Sequence, residues 1–256
     1  MGNEPHSEHP STRDPMHLLR VATYNIHKGR GLDRRVQIAR IAGVLREIGA
    51  DIIALQEVLS VEGRMPEDHQ ARFIAHELGL HYRMGETRRL NGGAYGNVTL
   101  SRFPFVHVHN YDITLPGREE RGCLRTDLGI LPDRVLHVFN LHLGTSYRER
   151  IYQGRKLFDS RILETLNSGP RVILGDFNEW FSGLASRLLK RHFKSVPVRP
   201  FFGRSRTYPG FFPLVHLDHI YFEGMEPVKV MLHRTRKSMI ASDHLPIIVD
   251  FRLQNG

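Results

Sequence analysis

The chain has 256 residues, 40% hydrophobic and 25% charged, the balance of a soluble protein long enough for an α/β fold with two sheets and a sizeable core. Its 36 Lys and Arg outnumber 27 Asp and Glu, giving +9 with 16 His in reserve; such a surface suits nucleic acid, an anionic membrane face or a phosphorylated small molecule without choosing among them. The single Cys123 excludes an internal disulfide and points to a reducing, cytoplasmic setting, and no stretch is apolar enough for a transmembrane segment, which leaves peripheral membrane contact open.

Residues 1–17 are polar, lack the apolar core of a secretory signal and read as a disordered tail ahead of one compact domain, 18–256. Leu18 to Tyr24 reads as the first strand and delivers Asn25, which is either a turn former or a site amide. Arg34 to Ile48 is an amphipathic helix with Ile38, Ile41, Leu45 and Ile48 on one face and Gly49 as its stop. Asp51 to Val58 is a continuous apolar strand that ends on Glu57, a carboxylate where burial demands a partner or a metal. Asp68 to Leu80 forms a second helix. Arg88 to Gly96 reads as a connection and Asn97 to Leu100 as a strand, interrupted by Pro104. Arg118, Arg121 and Arg125 lie between Pro116 and Arg125, as a phosphate clamp or as a solvated loop.

Thr126 to Leu131 and Arg134 to Leu143 pair around Pro132-Asp133. His142 breaks the second apolar run, as a satisfied core residue or a site histidine. Arg148 to Asn167 reads as a long helix with Ile151, Phe158, Ile162 and Leu166 on its apolar face and a basic outer face. Arg171 to Leu174 is a short buried strand stopped by Gly175. Asp176 and Asn178 follow at alternate positions, so in an extended segment they point to one side, a carboxylate and an amide suited to a hard cation or a phosphate. Phe181 to His192 is another helix. Arg199 to Pro213 mixes Phe201, Phe202, Tyr208, Phe211 and Phe212 with Arg204 and Arg206, either to meet bases or lipid or to pack as a loop. Leu217-Asp218-His219-Ile220 opens a strand, Val228 to Leu232 makes another, and Ser242-Asp243-His244-Leu245-Pro246 leads into the last, Ile247 to Leu253.

Six short segments, in this order, resemble the endonuclease/exonuclease/phosphatase superfamily: Thr23-Tyr24-Asn25, Leu55-Gln56-Glu57, Asn140-Leu141-His142-Leu143, Gly175-Asp176-Phe177-Asn178, Leu217-Asp218-His219-Ile220 and Ser242-Asp243-His244-Leu245-Pro246. The resemblance implies a deoxyribonuclease I-like α/β fold, a four-layer sandwich of two packed mixed sheets flanked by helices. It implies hydrolysis of a phosphate ester with Mg2+, or Mn2+, as cofactor. By match, Glu57, Asn25 and Asp243 look like the metal shell, Asp176 and Asn178 orient the water and phosphate, His244 is the catalytic histidine held by Asp218, and His142 meets a phosphate oxygen or the leaving group. Thr23 to Gly29 and Arg206 to Pro209 look most like a compact bacterial branch. The substrate expected is a phosphodiester or phosphomonoester, with a phospholipid-type or other small phosphodiester ahead of nucleic acid. The alternatives are a sequence-tolerant nuclease and a non-catalytic scaffold.

Overall fold

A computed structural model of the chain describes residues 18–63, 65–164, 169–179, 183–197, 207 and 217–253. The expected tail, 1–17, and the aromatic stretch 199–213, Thr207 excepted, lie outside the described residues, as do Leu166 and Phe181. Strand β1 (Leu18–Asn25) is followed by α1 (Ile38–Ile48), β2 (Ile52–Ser60), α2 (Gln70–Leu78), β3 (His81–Leu90), β4 (Gly93–Ser101), β5 (Phe105–Asp112), β6 (Gly122–Leu131) and β7 (Arg134–His142). The second half runs α3 (Tyr147–Asp159), β8 (Arg171–Asp176), α4 (Leu184–His192), β9 (Lys194–Ser195), β10 (Asp218–Glu223), β11 (Met225–Leu232), α5 (Arg236–Ala241) and β12 (Ile247–Leu253).

These strands form two six-stranded mixed sheets, ordered β11-β12-β1-β2-β4-β3 and β5-β6-β7-β8-β10-β9. Helices α1, α2 and α5 pack on the outer face of the first sheet. Helices α3 and α4 pack on the outer face of the second. Between the sheets lies a seam that includes Val21, Ala54, Val138, Val172, Leu174, Ile220 and Val249. This is the four-layer sandwich expected from the sequence. Side chains alternate along a strand, so every second residue of each central strand feeds the seam. Each fully buried aliphatic there stabilises the fold by about 1.5–3 kcal/mol. A polar side chain in the same row must recover its loss of hydration in hydrogen bonds.

Three sequence expectations are corrected. Arg88 to Gly96 is no mere connection: it is the tip of a β3–β4 hairpin, turned by Asn91 and Gly92 with φ of 48° and 79°. Asn-Gly suits a two-residue turn because both central positions need φ above zero. Helix α3 stops at Asp159 instead of reaching Asn167; the chain turns at Arg161, which has φ of 54°. Helix α1 begins at Ile38, since residue 34 is also left-handed (φ 63°) and Arg30 bridges to Val36 ahead of it. Strand β5, the short β9 and helix α5 were not read from the sequence. Among the described residues no helix is long and apolar enough to cross a membrane.

Candidate active site

At one pole the inter-sheet seam turns from apolar to polar. In β1 the inward row runs Leu19, Val21, Thr23, Asn25; in β7 it runs Leu136, Val138, Asn140, His142; in β8 it runs Val172, Leu174, Asp176. The register makes the polar ends neighbours, because His142 pairs with Asp176 across the parallel β7–β8 ladder and Asp218 pairs with Asp176 across the antiparallel β8–β10 ladder. Partners in a ladder share a face, so three strands set His142, Asp176 and Asp218 side by side. Gly175 permits the close approach: its φ is +141°, and a Cβ there would run into the carbonyl oxygen of Leu141.

A layer of buried amides separates this cluster from the hydrocarbon below. Gln56 Nε2 donates to Asn140 Oδ1 at 2.8 Å and to Thr23 Oγ1 at 3.2 Å. Asn140 Nδ2 donates to the carbonyls of Leu55 and Val98, and Asn97 Nδ2 donates to those of Gly122 and Asn140. These bonds tie the two sheets together where neither apolar packing nor water can.

Glu57 reaches the site through a β-bulge. Leu55 pairs with Val98 but Val58 pairs with Gly96, so β2 carries one extra residue opposite Asn97. Strict alternation would send Glu57 to the helix side; the bulge, with Glu57 at φ +55°, turns it to the pole instead. A left-handed Glu costs of order 1–3 kcal/mol, a strain that such sites commonly carry. His27 and Lys28 (φ 46° and 57°) and Asn178 (φ 51°) are also left-handed at this pole.

The carboxylates form a string. Asn25 Nδ2 donates to Glu57 Oε1 at 3.1 Å and to Asp176 Oδ2 at 3.0 Å. Lys28 Nζ donates to Glu57 Oε2 at 2.9 Å. Asp176 Oδ1 accepts the Asn178 backbone N–H at 2.9 Å, and the Asn178 amide donates to the Leu143 carbonyl. His244 Nδ1 lies 2.9 Å from Asp218 Oδ2, and its Nε2 lies 3.6 Å from Asp176 Oδ2. His142 Nε2 approaches the same Asp176 oxygen at 3.7 Å. The loop before β12 is fixed by Ser242 Oγ, which donates to the Asn25 carbonyl at 2.8 Å and accepts the His244 N–H. Asp243 faces His27, Oδ1 to Nδ1 3.5 Å.

The two site histidines titrate apart. Burial pulls both down, but Asp218 and Asp176 outweigh it at His244 and raise it to about 10. At His142 burial and the nearby Arg121 outweigh Asp176 and Glu57, holding it below the ordinary histidine value. One ring is therefore a cation at neutral pH and the other neutral, the pairing that acid–base chemistry needs. Burial pushes the Asp176 carboxyl above its usual range, against the pull of His244 and His142. Burial also opposes charge on Glu57, yet His142 when protonated, Lys28 and the Asn25 amide hold it well below the usual range. With His142 neutral, Lys28 is the cation that does so.

Asp176, Asp218 and His244 each offer an atom within 4.8 Å of the others, a spacing that could hold a metal. Their charge is already balanced by the His244 proton, which a dication there would have to expel. Glu57 and Asp243 carry the hard carboxylate oxygens that a cation such as Mg2+ takes, and Glu57 already attracts positive charge, as the Lys28 contact shows; Asn25 turns its Nδ2 to Glu57 and its Oδ1 to the His27 N–H, so its amide would have to rotate to offer oxygen to an ion beside Glu57. Of the expected arginines, Arg121 is buried in the wall beside Glu57 and His142. Arg125 is not brought to the site: it lies on the helix-side face of β6 and forks onto Asp127 at 3.0 and 2.7 Å. Arg118 sits exposed in the loop before β6, its N–H on the Leu115 carbonyl. Sequence reading missed Lys28, Tyr95 and Arg88. The first stood in the quoted Asn25 to Gly29 segment; the other two flank the hairpin turn.

The Endonuclease/Exonuclease/phosphatase family description fits residues 22–244. The chain is 29% identical to the uncharacterised protein YbhP of Escherichia coli K12 over 250 residues, 92% of this chain and 96% of that one. An endonuclease/exonuclease/phosphatase from Beutenbergia cavernae has a similar fold, with a TM-score of 0.70 at 23% identity over 93% of this chain and 72% of that one. So does the mannosyl-6-phosphatase Bt3783 of Bacteroides thetaiotaomicron, with a TM-score of 0.69 at 17% identity over 91% of this chain and 99% of that one.

Proposed function

Because the chain belongs to the endonuclease/exonuclease/phosphatase family and is a hydrolase of phosphate esters, we propose that it is a Mg2+-dependent phosphodiesterase acting on a phospholipid-type or other small phosphodiester. The observation that carries this reading is the buried His244 ring, fixed by Asp218 and facing Asp176, which is one hydrogen bond from Asn25 and two from Glu57. Glu57, Asn25 and Asp243 would hold the ion, with Mn2+ as a substitute. Bound there, it would neutralise phosphoryl oxygens and make attack by water easier at neutral pH.

The chain's own groups supply the rest. His244, protonated, presents its Nε2–H to a phosphoryl oxygen and stabilises the charge that develops there. Asp218 fixes the ring and its tautomer. Asp176, beside the Nε2 of both His244 and His142, orients the attacking water together with Asn178. His142, neutral, accepts or relays a proton on the leaving-group side. A small substrate is favoured because the cations at the mouth are largely engaged: Lys28 holds Glu57, while Arg88 and Arg121 both hold Glu119. With Glu119 in place, little open positive charge is left there for the run of phosphates in a nucleic-acid backbone.

One observation favours the runner-up, a sequence-tolerant nuclease. Arg148, Arg155, Lys190, Arg191 and Lys194 on and beside α3 and α4 have no acidic partner among the described residues, and a polyanion would meet them. The test sets a phospholipid panel and bis(p-nitrophenyl) phosphate against plasmid DNA, with Mg2+ and with EDTA. Turnover of small diesters is expected, lost in EDTA and in Glu57→Gln while the fold remains. Efficient DNA cleavage with inert small diesters would install the nuclease reading, and metal-independent turnover would end both.

A further inference from the structure

Beside the site, the β3–β4 hairpin and the loop before β6 are joined by one carboxylate. Glu119 Oε1 takes Arg88 Nη2 at 2.7 Å and Glu119 Oε2 takes Arg121 Nη2 at 2.7 Å. Arg88 lies over the Tyr95 ring, 4.8 Å from its centre, and Tyr95 is itself buried. The Arg121 backbone is pinned by Thr114 Oγ1, which accepts its N–H at 3.0 Å. A cavity of about 10 Å³, the room of a single water or phosphoryl oxygen, is lined by Glu57, Tyr95, Asn97, Arg121 and His142. Arg121 thus stands on the wall that holds Glu57 and His142, and Arg88 reaches it through Glu119.

The arrangement is unbalanced. Two guanidinium groups share a single carboxylate, and the Nε of both Arg88 and Arg121 is buried without a hydrogen-bond partner among the described residues. Arg121 is 6% exposed, so an unmet donor there is costly, whereas Glu119 is 36% exposed on its loop. Glu119 is the partner on the solvent side, and it can leave at low cost only when another anion meets the buried Arg121 in its place. Phosphate offers three oxygens to the same forks and binds them bidentately, where a carboxylate offers two.

We propose that Arg88 and Arg121 form a second anion subsite, closed by Glu119 when no substrate is bound, which receives a further phosphate group carried by the substrate. The proposal rests on the phosphodiesterase reading above and narrows it: the substrate is a phosphate ester with a second phosphate near the reacting one. Glu119 acts as an internal competitor, keeping the forks shut against simple esters.

The test is calorimetric binding of propane-1,3-diyl bisphosphate and of propyl phosphate to the full chain, with turnover of bis(p-nitrophenyl) phosphate measured alongside. The wild type is expected to prefer the bisphosphate by about tenfold or more. Arg88→Met abolishes that preference, bringing bisphosphate affinity down to that of propyl phosphate. Glu119→Gln, a surface change that keeps shape, strengthens bisphosphate binding several-fold. Equal binding of both ligands by the wild type, or an Arg88→Met loss shared equally by both, overturns the subsite while the active diester assay leaves the phosphodiesterase reading standing. Failure of both ligands to bind, with no diester turnover, overturns the two together.

Discussion

Two buried His–Asp pairs among the described residues have Nδ1 at 2.9 Å from a carboxylate oxygen, one bridging the two sheets and one within the second. His244–Asp218 stands at the polar pole. His137–Asp127 joins β7 to β6 on the helix-side face, opposite each other in the ladder. What separates them is the other neighbours. Asp127 is also forked by Arg125, so the His137 ring shares it with a guanidinium. The His244 ring has a second carboxylate, Asp176, off its Nε2, and an apolar floor gives way there to a string of polar groups. A buried His–Asp contact is thus a structural joint or a chemical device according to what faces the far nitrogen.

The largest difference between the pairs is expected on removing the rings. His244→Ala should cost about 10³–10⁴-fold in turnover, since charge stabilisation and proton transfer both go. His137→Ala should leave turnover within a few-fold but cost about 1–3 kcal/mol in denaturant unfolding. Equal loss of activity in both would erase the distinction. The carboxylates come next. Asp218→Asn should lower kcat by about 10²–10⁴-fold, by analogy with the buried Asp of a serine-protease triad, and add little to His244→Ala because the two act as a unit. Asp127→Asn instead removes the charge that Arg125 forks onto and should cost about 1–3 kcal/mol of stability with activity per folded molecule unchanged.

The pairs should also separate by pH. His244 is raised from 6.5 to about 10, so its contribution to stability is complete below pH 6.5 and fades as pH rises towards 10. Burial opposes the charge of Asp127, but His137 and Arg125 lower it from 3.8 to about 2, so its contribution is complete above pH 3.8 and fades as pH falls towards 2. Unfolding followed across pH should lose the alkaline arm in His244→Ala and the acid arm in Asp127→Asn; the reverse assignment would refute the account. The smallest effect is expected of Arg125→Met, about 1–2 kcal/mol of stability and no change in KM. A raised KM for diesters would return Arg125 to the phosphate site, where the sequence alone had set it.

The polar pole was legible because strand alternation is a local property. Val172, Leu174 and Asp176 fall on one face whatever the rest of the chain does, as do Val138, Asn140 and His142. Glu57 breaks that alternation, and only the bulge at its position explains how it arrives. The Arg148–Asn167 reading overran because the apolar spacing continues through Ile162, while the left-handed Arg161 ends the helix. Asn91-Gly92 was a hairpin signal passed over for the glycines around it. Arg88 escaped notice for a different reason: its significance depends on Glu119 and Arg121, which lie on the loop before β6 and on the first turn into that strand, and no sequence window spans them.

Strand β1 enters at Leu18 and ends at Asn25, eight residues that place some ~25 Å between its two ends. Leu18 faces Arg252 in the antiparallel β12. Both described ends of the chain therefore emerge side by side at the pole opposite the catalytic one. A fluorescent domain, an affinity tag or a surface tether joined directly at Leu18 or Leu253 would hang away from the mouth. Immobilised through both, the molecule would still present its reactive pole to solution.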